Sequence, residues 1–181
     1  CYSCEEVSFV LIDYKGGMMA NAFANVPHIA YCMTNLEEGN MYRFMQALDA
    51  ELKYRQQLFQ DTKRQLDVAT VDMDAYQHYY REALVKKPLA HLFLIADEFA
   101  ELKTQQPQFM EQLKQAARIG RSLGIHLVLA TQKPYGIIDD QIWSNARFHI
   151  CLKVQDKNDS MDMLKKEDAC NLQPVSYTHL R

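Results

Sequence analysis

Three short, nearly unbroken apolar runs constrain this chain most: residues 7–12 (VSFVLI), 91–96 (HLFLIA) and 125–130 (IHLVLA). A strand with one wet face alternates apolar and polar residues. A strand covered on both faces reads as a continuous apolar run, as in parallel sheets flanked by helices. The first run closes on Asp13, the second on Asp97-Glu98 and the third on Thr131-Gln132. A fourth segment alternates Phe148, Ile150, Leu152 and Val154 with His149, Cys151 and Lys153, which predicts a strand near the edge of the sheet.

Between the runs the apolar period changes from two to about 3.6. From Asn40 to about Leu66, Met41, Phe44, Met45, Leu48, Leu52 and Phe59 recur at helical spacing, with Glu51, Lys53, Arg55, Lys63 and Arg64 read as a solvated face. A shorter helix is expected from about Met73 to Leu84, ended by Lys86-Lys87-Pro88. Pro107 suits the first position of a helix running to about Ile119, with Gly120 at its end. Strands alternating with helices predict an α/β fold with a mostly parallel sheet.

Composition narrows the function classes. With 48% hydrophobic and 24% charged residues the 181-residue chain is globular, neither a disordered tail nor a fibrous repeat. The net charge of −3 argues against a surface built wholly for a polyanion. No apolar run approaches the roughly 18 residues of a membrane span. Five cysteines (Cys1, Cys4, Cys32, Cys151, Cys170) at irregular spacing do not form a disulfide framework, and the Cys1–Cys4 pair has no partner pair for a zinc site. The six histidines show no metal-binding spacing, and no G-x-S-x-G elbow supports serine hydrolase chemistry.

Ligands of open α/β sheets bind beyond the carboxyl ends of the strands, and parallel strands bring the three polar run ends to one edge. There, Asp97-Glu98 after an apolar strand has the Walker B form. The first carboxylate suits Mg²⁺ held through water, and the second suits activation of the water that attacks a γ-phosphate. The competing reading is an acidic first turn that complements a helix dipole. Gln132 offers an amide to an attacking water or a phosphate oxygen, or else marks an ordinary strand exit. Arg118 and Arg121 flank a Gly-bounded helix end. They suit either a γ-phosphate on a neighbouring subunit or the negative end of their own helix. Lys15, in a basic Gly-Gly turn, suits a phosphate contact or simply a turn.

Taken in order, residues 9–17 (FVLIDYKGG), 19–23 (MANAF), Pro27-His28, 34–36 (TNL), 50–52 (AEL) with Arg55-Gln56, 91–102 (HLFLIADEFAEL), 117–126 (ARIGRSLGIH), 129–134 (LATQKP), 139–145 (DDQIWSN) and 152–156 (LKVQD) closely resemble the FtsK/SpoIIIE-type motor ATPases. Within them the match is to the EssC/EccC ATPases of type VII secretion. The resemblance implies a RecA-like P-loop sheet, ATP and Mg²⁺ as cofactors, and hydrolysis coupled to export of small WxG-type proteins. It implies assembly with other ATPase domains of the same chain, a hexameric ring, and membrane components of the secretion machine at the cytoplasmic face of a bacterial membrane. DNA, moved by other members of the superfamily, is the alternative cargo, and a non-hydrolysing assembly domain the alternative role. By position, Asp97 matches the Mg²⁺-associated acid, Glu98 the catalytic acid and Gln132 the sensor. Arg118 or Arg121 falls where a trans-acting arginine is expected. Met18 replaces a usual third glycine, and no G-x-x-x-x-G-K-[ST] loop occurs in the sequence. In a P-loop βαβ order that loop is expected roughly 25–35 residues before Asp13, upstream of Cys1. The expected division is therefore a partial ATPase domain over 1–172, inactive by itself, and a non-native or disordered tail over 173–181.

Overall fold

The computed structural model describes residues 2–13, 17–23, 25–34, 38–138, 140–173 and 177–180. The chain divides into two compact units, Cys1–Ala130 and Thr131–Arg181. The first unit carries β1 (Val7–Asp13), α1 (Met18–Phe23), β2 (Ile29–Met33), α2 (Glu38–Leu66), α3 (Met73–Arg81), β3 (His91–Asp97), α4 (Phe99–Gln105), α5 (Pro107–Gly120), a 3-10 turn (Arg121–Leu123) and β4 (Ile125–Leu129). Its sheet has the order β2-β1-β3-β4, and every pairing is parallel. The α/β fold with a mostly parallel sheet and flanking helices expected from the sequence is therefore present.

The three apolar runs form β1, β3 and β4. The first two are inner strands, whereas β4 ends the described sheet and, contrary to the reading of its run as covered on both faces, buries Ile125 but leaves Val128 43% exposed. Leu11, Ile12, Leu94, Ala96 and Ile125 are buried. The strands are in register from Val7 opposite His91 to Asp13 opposite Asp97, and from Leu92 opposite Ile125 to Ala96 opposite Leu129. One helical layer is built on α2, whose buried residues Met41, Phe44, Leu48, Leu52, Arg55, Phe59 and Thr62 recur every three or four positions. Phe44 meets Phe109 of α5 with ring centroids 5.9 Å apart, and Phe59 stacks on Tyr76 of α3 at 5.4 Å. Asp72 caps α3 by accepting the Ala75 N–H at 2.9 Å. Pro107 opens α5, where its missing N–H costs nothing.

The structure corrects three readings. Arg55 does not lie on the wet face of α2: it sits on the buried stripe and is only 3% exposed. The edges of the described four-stranded sheet are β4 and β2, the latter a strand the apolar pattern did not reveal. The alternating segment forms β5 (His149–Leu152), which pairs antiparallel with β6 (Tyr177–Leu180) in a separate two-stranded sheet of the second unit. Alternation reports that one face is covered, but not which sheet the strand joins.

In the second unit, α6 (Asp140–Asn145), β5, α7 (Lys157–Leu164), a 3-10 turn (Asp168–Asn171) and β6 follow in order. Cys151, Leu164 and Ala169 form its core, with Val154, Met163 and Leu172 packed around them. The buried Ser160 hydroxyl donates to the Lys166 carbonyl at 2.6 Å and accepts the Ala169 N–H at 3.2 Å, so its burial leaves nothing unsatisfied. Residues 174–176 and 181 of the tail lie outside the described residues. Among the described residues no helix is long and apolar enough to cross a membrane.

Candidate functional site

Parallel register places the carboxyl ends of β1 and β3 side by side. Asp13 pairs with Asp97, so their Cα atoms are about 5 Å apart across the ladder. Asp13 is 2% exposed, and its Oδ2 accepts the Met19 N–H at 2.9 Å, which fixes α1 against the end of β1. Asp97 is half-buried and keeps contact with solvent. The next residue, Glu98, is buried at 4% exposure and adopts a left-handed conformation, φ 53° and ψ 53°.

That conformation is unfavourable for a residue with a Cβ, by roughly 1–2 kcal/mol, and persists only where its surroundings impose it. Here the imposition comes from the backbone. Ala130, just past β4, donates its N–H to the Ala96 carbonyl at 2.9 Å and accepts the Phe99 N–H at 2.9 Å. The two bonds bracket Asp97-Glu98 and turn strand into helix at a single residue. At this step the two consecutive carboxylates have different environments, Asp97 half-buried and Glu98 buried. Glu98 precedes α4 without a side-chain capping bond to it, and Glu101 lies in the first turn of that helix, where the helix dipole favours an acid.

The donors at this edge are hard oxygens, a set that suits Mg²⁺. Among the described residues no group of three or more Asp, Glu, His or Cys is gathered to hold a metal by itself. A cation here would therefore draw on Asp97, water and phosphate oxygens together, which is the coordination Mg²⁺ favours.

The remaining expected residues fall elsewhere. Gln132 is exposed and belongs to the second unit, two residues after Ala130, where the neighbouring Thr131 Oγ1 accepts the Lys133 N–H at 3.2 Å. Arg118 ends α5 and Arg121 opens the 3-10 turn, and both are exposed. They precede β4, whose first residue pairs with Leu92 near the start of β3. Five residues of strand, about 16 Å, thus separate the arginine turn from Asp97. Within one unit the arginines and the acidic pair lie at opposite edges of the sheet. Lys15 lies outside the described residues.

Two residues were undervalued by sequence reasoning. Asp13 stood only as a strand end, although its pairing with Asp97 follows once β1 and β3 are adjacent. Arg55 stood among solvated charges, yet its spacing of three from Leu52 and four to Phe59 already placed it on the apolar stripe. Below it, at the amino edge of the sheet, His91 Nδ1 and His126 Nε2 are 3.0 Å apart and share a hydrogen bond, and His91 Nε2 lies 3.5 Å from Asp74 Oδ1. Burial holds both imidazoles below their ordinary pKa; Asp74 opposes this and Arg55 adds to it.

Comparison with known proteins gives one consistent picture. The sequence model of the FtsK/SpoIIIE family matches residues 1–135. The type VII secretion system protein EssC of Staphylococcus aureus is 50% identical over 167 residues, which cover 92% of this chain and 11% of EssC. The ESX secretion system protein EccC of Geobacillus thermodenitrificans is 51% identical over 179 residues, 97% of this chain and 12% of that protein. The cytoplasmic domain of the Thermomonospora curvata type VII secretion ATPase EccC superposes with a TM-score of 0.83 at 30% identity, over 99% of this chain and 21% of that structure. The chain thus spans about a ninth of the length of these curated relatives.

Proposed function

The chain belongs to the FtsK/SpoIIIE family, and from that membership we propose that it is the hydrolytic half of an ATPase motor domain that drives protein export in a type VII secretion system. The observation that carries this reading is the Asp97-Glu98 step, with Glu98 buried in a left-handed turn beside the Asp13–Asp97 pair. Similarity to EssC and EccC over more than nine-tenths of the chain supports export as the task being driven. The partners that follow from this reading are further ATPase domains of the same chain, a ring of copies, the secretion system's membrane components, and small secreted proteins as cargo.

In this mechanism ATP is the substrate, and a bound Mg²⁺ would supply charge neutralisation at its phosphates. Asp97, half-buried and open to solvent, would hold that cation through water. Glu98 lies out of bulk water. There it accepts the proton from the attacking water at a carboxylate oxygen whose backbone is held from both sides by Ala130. In this reading Gln132 is the sensor residue and Lys15 a phosphate contact. Arg118 or Arg121 reaches the γ-phosphate of an adjacent ATPase domain, an assignment supported by its place at the sheet edge away from the acids.

The test is substitution in the full-length ATPase chain. Glu98→Gln keeps the shape of the side chain and removes the base. It is expected to preserve nucleotide binding while lowering the hydrolysis rate by about 10²-fold or more. Hydrolysis at the unsubstituted rate removes Glu98 from its role, and with it the proposed mechanism.

A further inference from the structure

A buried arginine on a helix stripe otherwise filled by Leu48, Leu52, Phe59 and similar residues needs an explanation, because leucine would pack there without the several kcal/mol of charge desolvation. Arg55 divides its fork between Glu51 on its own helix and the backbone of a turn far away in sequence. Its Nη1 donates to the Leu123 carbonyl at 2.8 Å and to the Gly124 carbonyl at 3.5 Å, and its Nε donates to Glu51 Oε1 at 2.8 Å. The Gly124 carbonyl also accepts the Leu92 N–H at 2.8 Å, so the same atom links β3, α2 and the turn.

Those carbonyls belong to the 3-10 turn that follows α5 and to the residue that ends it. The turn has little room for other positions. A Cβ on Gly120 would lie 2.7 Å from Ile125 Cβ, and one on Gly124, at φ +74°, would overlap Met73 Cγ. The Gly124 N–H closes the turn onto the Arg121 carbonyl at 3.3 Å. The turn is therefore pressed against β4 and α3 and tied by a guanidinium to α2. What it presents outward is Arg121 and, one helical turn earlier, Arg118, both exposed.

We propose that Arg55 is a positioning residue: it sets the Arg118–Arg121 turn so that an arginine of this domain meets the nucleotide on a neighbouring ATPase domain. The role rests on the trans-arginine reading given above. Lysine at position 55 can keep an ion pair with Glu51 but offers a single charged head in place of the planar fork that spans Glu51 and the turn carbonyls.

A double-mutant cycle in the full-length ATPase tests it, with steady-state kcat and KM for ATP and the thermal unfolding midpoint measured for each variant. Arg55→Met is expected to lower kcat about 10-fold while changing KM for ATP by less than about 2-fold. In a background carrying both Arg118→Ala and Arg121→Ala, the same substitution is expected to change kcat by less than about 2-fold, because the group it positions is gone. Arg55→Lys is expected to fall between Met and the native residue, and it carries the cycle if Arg55→Met does not accumulate as folded protein. An undiminished effect of the position-55 substitution in the arginine-free background overturns the proposal, as does an unchanged kcat in the native background. If the arginine-free variant itself turns over at the native rate, the trans-arginine reading fails, and Arg55 loses the role with it.

Discussion

The pair His91–His126 shows how a residue outside the chemistry still imposes a condition on the fold. With both rings neutral, one nitrogen donates and the other accepts across 3.0 Å; protonating the acceptor leaves two donors facing each other. Burial lowers both folded-state pKa values, Arg55 and Arg121 act in the same direction on His126, and Asp74 opposes them. A histidine whose pKa is lower in the folded state binds fewer protons there than in the unfolded chain. Its contribution is complete above the unfolded value of about 6.5 and is lost as pH falls from there through the folded value. The thermal midpoint is therefore expected to fall between pH 7 and pH 5. His126→Phe, which preserves a ring against Phe93, is expected to flatten that slope. A midpoint independent of pH over this range would contradict the assignment. The position of Asp97 and Glu98 at the end of a buried strand was legible in the sequence, because an apolar run that stops on two acids marks where the strand leaves the sheet. The burial of Arg55 was not, because its charge was weighted above its spacing; Glu51 and the turn carbonyls it meets explain why a charge is tolerated there.

Elements were legible where their period was long or uniform. The runs of β1 and β3 and the stripe of α2 are largely covered along their length, so propensity and burial agree, whereas the run of β4 gave the strand but not its exposure at Val128. Segment β2 fails that test: Ile29 and Met33 face inward, but Ala30 and Tyr31 are exposed, and five residues give no period to count. Its partner β1, through the parallel pairing of Val10 with Tyr31 and Ile12 with Met33, decides its conformation. At the end of α3 a local rule is broken in a way that can be repaired. Ala83 has φ 57°, its N–H donates to the Tyr80 carbonyl at 3.0 Å, and the Leu84 N–H donates to the Tyr79 carbonyl at 2.9 Å. This is the place in a helix C-cap that favours glycine. Ala83 is exposed, so Ala83→Gly loses little packing. It is expected to stabilise the first unit by about 1 kcal/mol, read as a shift of the urea midpoint without a change in slope.

Across the whole molecule, the division at Ala130 could not be read from the sequence, because the apolar pattern continues through Phe148–Val154 as though one sheet were still being built. The second unit instead closes its own small core around Cys151, Leu164 and Ala169 and leaves Phe148, Ile150 and Leu152 outward at 61%, 57% and 64% exposure. Three large exposed apolar side chains, Ile150 and Leu152 on β5 and Phe148 just before it, favour association at high concentration. Ile150→Lys is expected to lower the concentration-dependent light scattering of this chain while leaving its circular dichroism unchanged; equal scattering would show that this strand face is not the cause. The acidic edge carries a different tension. Position 98 is held in a backbone region where glycine is the most comfortable occupant, and the proposed chemistry requires a carboxylate there. Selection for folding and selection for turnover thus ask for different residues at the same place. A lineage that kept the fold but gave up hydrolysis would be free to drift there first, so the identity of this one residue separates a working motor from a retired one.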